Sequence, residues 1–311
     1  MRPALRLALL AVLVGCGIAL VLVLQQQRAR APLATTWTSA FQVLGTPLKL
    51  ADRAASRVLP IGEVDEAALG DVYLASFDSR YDGASREQRY VDSLLEELRP
   101  YAGKSFDYRA YVVDYPSPNA MALPGGVILV TRDLLTTLHS ESELFAVLAH
   151  ELGHIERGHC FDTVRFELLT RKVGAEPIGE LADMAAGLLL RHSFSKTMEH
   201  EADAYAYELL THSRYDPRGV GLSFRSLQQY ETRLGAAQAH ASGPLRDYFT
   251  SHPPLAIRAA EYTARADAWW TQHPAERRYV GRRNLAALVA LDRHELRDEW
   301  TGAEPGPGAG Q

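Results

Sequence analysis

The stretch SESELFAVLAHELGH, residues 140–154, decides how this chain folds around its site. Ser140 and Glu143 have the spacing of a helix-capping box. Apolar residues then recur every three or four positions, at Leu144, Val147, Leu148 and Leu152. This period predicts a helix that begins after Ser140. Because residues four apart lie on one face of a helix, His150 and His154 would present two imidazoles side by side.

Two imidazoles with this spacing can hold a metal ion. A histidine pair four residues apart, with a glutamate after the first histidine, is a signature of zinc metalloproteases. Glu151 would lie at the edge of the metal-binding face, where it can act as a general base. The motif alone also fits two solvated or core histidines on an amphipathic helix, so a third ligand is needed to decide between these interpretations.

The third ligand must come from elsewhere in the chain. A pattern of three histidines would need the last one ten residues after the first, and that position is Cys160. Glu199 and Asp203 lie four apart in a predicted helix and share one face. Glu199 can bind the metal while Asp203 accepts the outer N–H of a ligand histidine.

The residues around this carboxylate pair have simpler predicted roles. Glu201 and His200 point away from the Glu199 face and should be solvated. Ala202 is small enough to let this helix approach the first one closely. Four polar residues so close together in a helix often form only a charged face, and it is the pairing of Glu199 with Asp203 that favours the metal site.

Four separated motifs resemble the membrane-associated zinc metallopeptidases of the HtpX and CAAX prenyl protease type, most nearly their periplasmic quality-control members. In chain order they are NAMALPGG (119–126), HELGH (150–154), FSKTMEHEAD (194–203) and SHPP (251–254), with Arg258 following. The resemblance spans about Ile61 to Arg258. Met121 stands where the family usually has Phe, and Lys196 where it usually has Arg. Neither change removes a metal ligand or the base.

The resemblance implies a role for each matched residue. It implies one zinc ion per chain, with His150, His154 and Glu199 as ligands and Asp203 beside them. The strand before the metal helix would pair with an extended substrate through the edge residues Asn119, Ala120, Met121, Ala122, Leu123 and Pro124. His252 would either stabilise the tetrahedral oxyanion or occupy the fourth zinc position at rest. Arg258 would neutralise charge nearby.

These residues predict a membrane-tethered zinc endopeptidase. Zinc would lower the pKa of its bound water toward ~7, and Glu151 would take the proton and deliver it to the leaving amine. The resemblance implies unfolded or damaged envelope proteins and peptides as substrates, and envelope quality-control proteins as partners. The alternative is a latent or inactive metal-binding chaperone or scaffold, which would carry the same motifs.

The N-terminus predicts the membrane attachment. Leu7 to Leu24 contains no charged or amide side chain, and arginines flank it. This run is near the minimum length for one spanning helix and also resembles a secretory signal. Cys16 ends a lipobox-like tetrapeptide, so a lipoprotein signal is the alternative to an uncleaved anchor. Either interpretation places the body on the periplasmic or extracytoplasmic side of a membrane.

The charge balance excludes one class of partner. The chain has 33 Lys and Arg against 38 Asp and Glu. Residues 1–31 hold four arginines and no acid, which leaves 29 basic against 38 acidic groups in the rest. Such an acidic body lacks the basic patch that nucleic-acid binding requires. Cys160 has no plausible disulfide partner and should be a half-buried free thiol.

The predicted fold is α+β and predominantly helical, a zincin-like metallopeptidase domain with one small β-sheet and an N-terminal apolar anchor. We assign residues 1–31 to the anchor or signal and 32–60 to a helical linker. The metallopeptidase domain takes 61–270, and 271–311 form a C-terminal helix and a disordered tail. The sheet should come from 108–115, 119–124 and 127–130. A last amphipathic helix is expected from Arg282 to Trp300.

Overall fold

The computed structural model describes residues 63–78, 85–172, 194–237 and 255–302, with isolated positions at 83, 182, 185, 186, 188 and 189. The predicted anchor, linker and tail lie outside these residues. Within them the protein is mainly helical, as predicted, but it has two small sheets where the sequence predicted one. None of the helices described is both long and apolar enough to cross a bilayer.

The described elements follow one another in chain order. The helices are α1 (Glu63–Asp78), α2 (Arg86–Leu98), α3 (Arg132–Thr137), α4 (Glu141–Glu156), α5 (His159–Lys172), α6 (Lys196–His212), α7 (Arg218–Ala237), α8 (Leu255–Gln272) and α9 (Arg282–Ala287). The strands are β1 (Arg109–Val113), β2 (Ala120–Leu123), β3 (Val127–Thr131), β4 (Arg277–Tyr279) and β5 (Trp300–Gly302).

The larger sheet places β2 at an edge. Its order is β1-β3-β2, with β3 parallel to β1 and antiparallel to β2. The β2–β3 turn contains Gly125 at φ +81° and Gly126 at φ +95°, values that favour glycine. The Gly125 backbone lies against Gly70 of α1, where a Cβ would meet the Gly125 carbonyl oxygen at 2.6 Å. The turn is therefore held against α1 by a backbone contact.

Helix α4 lies in the centre of the protein. Ser140 caps it by accepting a hydrogen bond from the Glu143 amide, which is the predicted start. Every residue from Glu141 to Ile155 is buried, although the sequence indicated one apolar stripe. Strand β2, helices α6 and α7 and the C-terminal segment pack around it. Because neighbours surround this helix, its polar residues are buried together with its apolar ones.

Helices α4 and α6 approach each other closely at two small residues. A Cβ placed on Gly153 would lie 3.2 Å from the Cα and carbonyl oxygen of Ala202 and 3.1 Å from the Cβ of Tyr205. Such distances are tighter than ordinary van der Waals contact. Ala202 thus lets α4 and α6 approach each other closely, as its small size predicted.

The C-terminal segment differs from the prediction. Helix α9 ends at Ala287, and Leu288 follows with φ +49°, so the helix expected to reach Trp300 is wrong. The side-chain amide of Asn284 donates hydrogen bonds to the carbonyls of Val289 and His294. These bonds take the place of the backbone bonds that would continue the helix. The chain then returns as β5 to pair with β4.

The C-terminal segment contacts the start of α4 from both sides of α9. The amides of Glu141 and Ser142 donate to the carbonyls of Gly281 and Val280 at 3.1 and 3.0 Å. The Leu291 amide donates to the Glu141 carboxylate at 3.0 Å. The segment therefore holds the N-terminal end of the helix that carries the two histidines.

The buried Glu141 carboxyl should make the fold less stable as pH rises. Burial raises its pKa to about 7, although bonds from Tyr215, Tyr90 and the Leu291 amide lower it. The pKa of Glu141 in the folded protein exceeds the ordinary value of 4.5. Its contribution to the free energy of unfolding is therefore complete below pH 4.5 and is lost as pH rises through about 7. Across this range the free energy of unfolding should fall by about 3 kcal/mol because of Glu141.

Glu141→Gln keeps an acceptor for Tyr215 and Leu291 but cannot ionise. Its Tm should therefore change less than that of the wild type between about pH 5 and pH 8, as measured by thermal unfolding. Glu96→Gln, an exposed substitution on α2, is the control and should follow the wild type. An unchanged pH profile in Glu141→Gln would contradict the assignment.

Candidate metal centre

Three buried side chains from α4 and α6 bring metal-binding atoms together. Nε2 of His150 lies 3.1 Å from Nε2 of His154. The Glu199 oxygens lie 3.7 Å from His150 Nε2 and 3.5 Å from His154 Nε2. All the donor atoms are within 4.8 Å of one another, and the three residues are at most 7% exposed. The structure thus places together the three ligands predicted from the sequence.

This donor set fits zinc. Two imidazole nitrogens and a carboxylate oxygen are ordinary zinc ligands, at about 2.0–2.2 Å from the ion. Tetrahedral geometry at those bond lengths puts the ligand atoms about 3.3 Å apart. The observed separations of 3.1–3.7 Å match that value without rearrangement of the helices.

Asp203 and Arg258 surround the predicted ligands with charge. Asp203 Oδ1 lies 2.9 Å from Nδ1 of His150, on the ring edge opposite the metal-facing nitrogen. Arg258 of α8 donates to both Asp203 oxygens at 2.7 and 2.5 Å. Its third nitrogen lies 3.1 Å from Glu199, and its guanidinium stacks over Phe224. Arg258 thus pairs with the predicted ligand Glu199 and with Asp203, the carboxylate that contacts His150.

These contacts set the ionisation of the buried groups. Burial disfavours ionisation of Asp203, but hydrogen bonds and charges from His150 and Arg258 outweigh it and lower its pKa to about 2. Burial alone would lower the pKa of His150, yet the bond to Asp203 and the charge of Glu199 raise it. Asp203 is therefore a carboxylate at any physiological pH.

Glu151 connects the histidine helix to the sheet edge. Its Oε2 accepts a hydrogen bond from the Ala122 amide of β2 at 2.8 Å. Because this amide points away from β3, the backbone groups of Ala120, two residues earlier, also point away from β3, although Ala120 is buried. The thiol of Cys160 lies 3.5 Å from the Ala122 carbonyl and is fully buried, so the prediction of a half-buried thiol is wrong. A hydrogen bond thus links strand β2 directly to the predicted base, Glu151.

Two neighbours of His154 have contacts that the sequence did not predict. Phe194 stacks on the His154 ring with centroids 4.1 Å apart. His159 lies between His154 and Glu201, 3.1 Å from one and 2.9 Å from the other. Glu201 was expected to be solvated and is half exposed, but it bonds to His159. The motif FSKTMEHEAD contained Phe194 and Glu201 without indicating that Phe194 stacks on His154 and that Glu201 bonds to His159.

A small cavity of about 20 Å³ lies beside His150 and Glu151. Helices α4, α7 and α8 supply its apolar walls, with Val147, Val220, Phe224, Leu227 and Leu255 among the lining residues. His252, the other residue that the sequence assigned to the reaction, lies outside the described residues.

A sequence profile of peptidase family M48 matches residues 85–266, more than half of the chain. The chain belongs to peptidase family M48. This assignment confirms the resemblance drawn from the four motifs. The matched range includes strands β1–β3, the two histidines of α4, Glu199 and Arg258.

Curated M48 relatives match different shares of the chain. Metalloprotease LoiP of Escherichia coli (strain K12) is 27% identical over 250 residues, which cover 76% of this chain and 94% of LoiP. Mitochondrial metalloendopeptidase OMA1 of Schizosaccharomyces pombe is 30% identical over 163 residues, which cover 49% of this chain and 48% of that protein. The chain therefore spans about half the length of the OMA1 relative.

Removing the Arg258 charge should destabilise the protein. Arg258→Gln leaves Asp203 and Glu199 without their buried counter-charge, and breaking such a pair costs about 3–5 kcal/mol. Urea unfolding of the metal-free protein should show this loss. Arg225→Gln, on the exposed face of α7, is the control and should change stability by less than about 1 kcal/mol. Equal stability of both variants would rule out Arg258 as the compensating charge.

Proposed function

We propose that this M48 protein is a membrane-tethered zinc endopeptidase that cleaves unfolded or damaged envelope proteins. One observation carries the proposal: the buried donors of His150, His154 and Glu199 lie beside Glu151, whose carboxylate is fixed to the edge strand β2. A structural metal site would need neither the glutamate nor the strand edge. The relatives' names, which include metalloprotease and metalloendopeptidase, support the same reaction class.

The zinc ion would be held by His150, His154 and Glu199. When bound, zinc polarises a carbonyl group and makes water acidic enough to act as a nucleophile near neutral pH. Asp203 fixes the orientation of the His150 ring from the opposite edge. Arg258 keeps Asp203 ionised and pairs with Glu199.

Glu151 would take a proton from the attacking water and deliver it to the leaving amine. It is 2% exposed, and its Oε2 accepts from the Ala122 amide, so the carboxylate has one fixed orientation. The other oxygen would take the proton. A positioned acid–base group of this kind contributes about 10²- to 10⁴-fold to the rate.

The edge strand would bind the substrate backbone. An extended peptide can add to a sheet edge through main-chain hydrogen bonds, which gives little dependence on side chains. Of the predicted stretch from Asn119 to Pro124, the outward backbone at Ala122 already contacts Glu151 and Cys160. Substrate pairing should therefore concentrate on the outward groups of Ala120.

Unfolded proteins are the substrates that fit this arrangement. They offer an extended backbone that can pair with β2. A folded protein presents no such free backbone. The membrane tether is inferred from the apolar run Leu7–Leu24, and quality-control partners in the envelope follow from that location. His252 would act on the oxyanion or occupy the fourth metal position.

Replacement of the base should separate catalysis from metal binding. Glu151→Gln can still accept the Ala122 hydrogen bond, so it should fold and retain one zinc ion per chain by metal analysis. Cleavage of unfolded casein should fall by at least about a hundredfold. His150→Ala should instead lose zinc. Glu208→Gln, exposed on α6, is the control. Retained cleavage in Glu151→Gln would contradict the mechanism and favour a different base.

Removal of one outward amide should weaken substrate binding. Ala120→Pro deletes an N–H that does not pair with β3, so the β2–β3 ladder should remain and Tm should fall less than in Met121→Pro. Loss of one backbone hydrogen bond predicts about a tenfold decrease in kcat/KM on an unfolded substrate. Met121→Pro removes an inward amide and should instead lower Tm. An unchanged kcat/KM in Ala120→Pro would exclude substrate pairing at this residue.

A further inference from the structure

His159 lies between a predicted zinc ligand and a surface carboxylate. Its Nδ1 is 3.1 Å from Nδ1 of His154, and its Nε2 is 2.9 Å from Oε2 of Glu201. His154 is fully buried and His159 is 2% exposed, whereas half of the Glu201 side chain is exposed. The three side chains come from α4, α5 and α6, and they form a continuous path from the site to the surface.

The metal-binding atom of His154 fixes the hydrogen positions along this path. Nε2 of His154 faces His150 and Glu199, so the neutral ring carries its hydrogen on Nδ1 when it binds a metal ion. That N–H points to Nδ1 of His159, which must then accept. The remaining hydrogen of His159 is on Nε2 and donates to the Glu201 carboxylate. One set of tautomers satisfies all three groups.

The two histidine ligands are therefore supported in different ways. His150 contacts the buried carboxylate of Asp203 directly. The outer nitrogen of His154 contacts His159, which in turn contacts the Glu201 carboxylate. Glu201 is on a different face of α6 from Glu199 and Asp203. The histidine of α5 bridges the gap between them.

We propose that His159 and Glu201 are positioning residues that hold His154 in its zinc-binding orientation. The inference rests on the metal ligands of the proposed function but not on peptidase activity. A group that accepts the outer N–H of a ligand imidazole fixes the ring and raises its basicity, and its loss costs about 10- to 100-fold in metal affinity. Glu201 acts on His159 in the same way and one step farther from the metal.

Zinc affinity, measured by competition with a chromophoric chelator, tests this proposal. His159→Ala should bind zinc about 10- to 100-fold more weakly than the wild type. His159→Gln should recover part of the loss, because its amide oxygen can accept from His154 and its amide nitrogen can donate to Glu201. His200→Ala, at an exposed neighbouring position of α6, is the control and should leave the affinity unchanged.

A double-mutant cycle separates the proposed path from a general packing role. Glu201→Gln alone should weaken zinc binding by less than His159→Ala does. In the His159→Ala background the same Glu201→Gln change should have no further effect, because the path is already broken. Additive losses would show that Glu201 acts independently of His159.

Cobalt substitution gives a second readout. The visible absorption of the Co²⁺-loaded His159→Ala protein should differ from that of the wild type, since the His154 ring is no longer held. Unchanged zinc affinity and an unchanged cobalt spectrum in His159→Ala would overturn the proposal, whether or not the protein cleaves peptides. Normal zinc binding without cleavage in the wild type would contradict only the proposed function.

Discussion

The close approach of α4 and α6 is the constraint on which the candidate metal centre depends. The two imidazoles come from α4 and the carboxylate from α6, and zinc requires all three within about 2 Å of one point. The His and Glu side chains can reach a common point only if the backbones of the two helices lie close together. Gly153 against Ala202 provides that contact, with 3.2 Å between a notional Cβ and the opposite backbone. A larger residue at either position would separate the ligands.

The close approach of α4 and α6 also buries the carboxylates of Glu199 and Asp203. The need for a counter-charge explains the position of Arg258 beside them. Glu199 and Asp203 are each 2% exposed, a situation that is costly for a carboxylate without a partner. Arg258 comes from α8 to contact both, and Phe224 of α7 covers its guanidinium. A stable core could be built from apolar residues at lower cost. A network of this kind is therefore best explained by the metal ion that its donors fit.

Features set by neighbouring residues were predictable from the sequence. The Ser140 cap, the strand segments and the shared face of Glu199 and Asp203 follow from local periodicity and spacing. The helix expected to reach Trp300 was wrong because Asn284 bonds to carbonyls farther along the chain and ends α9 early. The burial of Cys160 was underestimated because the Ala122 carbonyl, 38 residues away, covers its thiol.

The sequence by itself determined the family and the metal-binding residue types, since a four-residue spacing on a helix fixes which side chains face together. Only the tertiary structure decided how those side chains are supported. The bonds from Ala122 to Glu151, from His159 to Glu201 and from Arg258 to Asp203 join residues 29, 42 and 55 positions apart. Local periodicity carries no information about such pairs, because they depend on how whole helices and strands pack against one another.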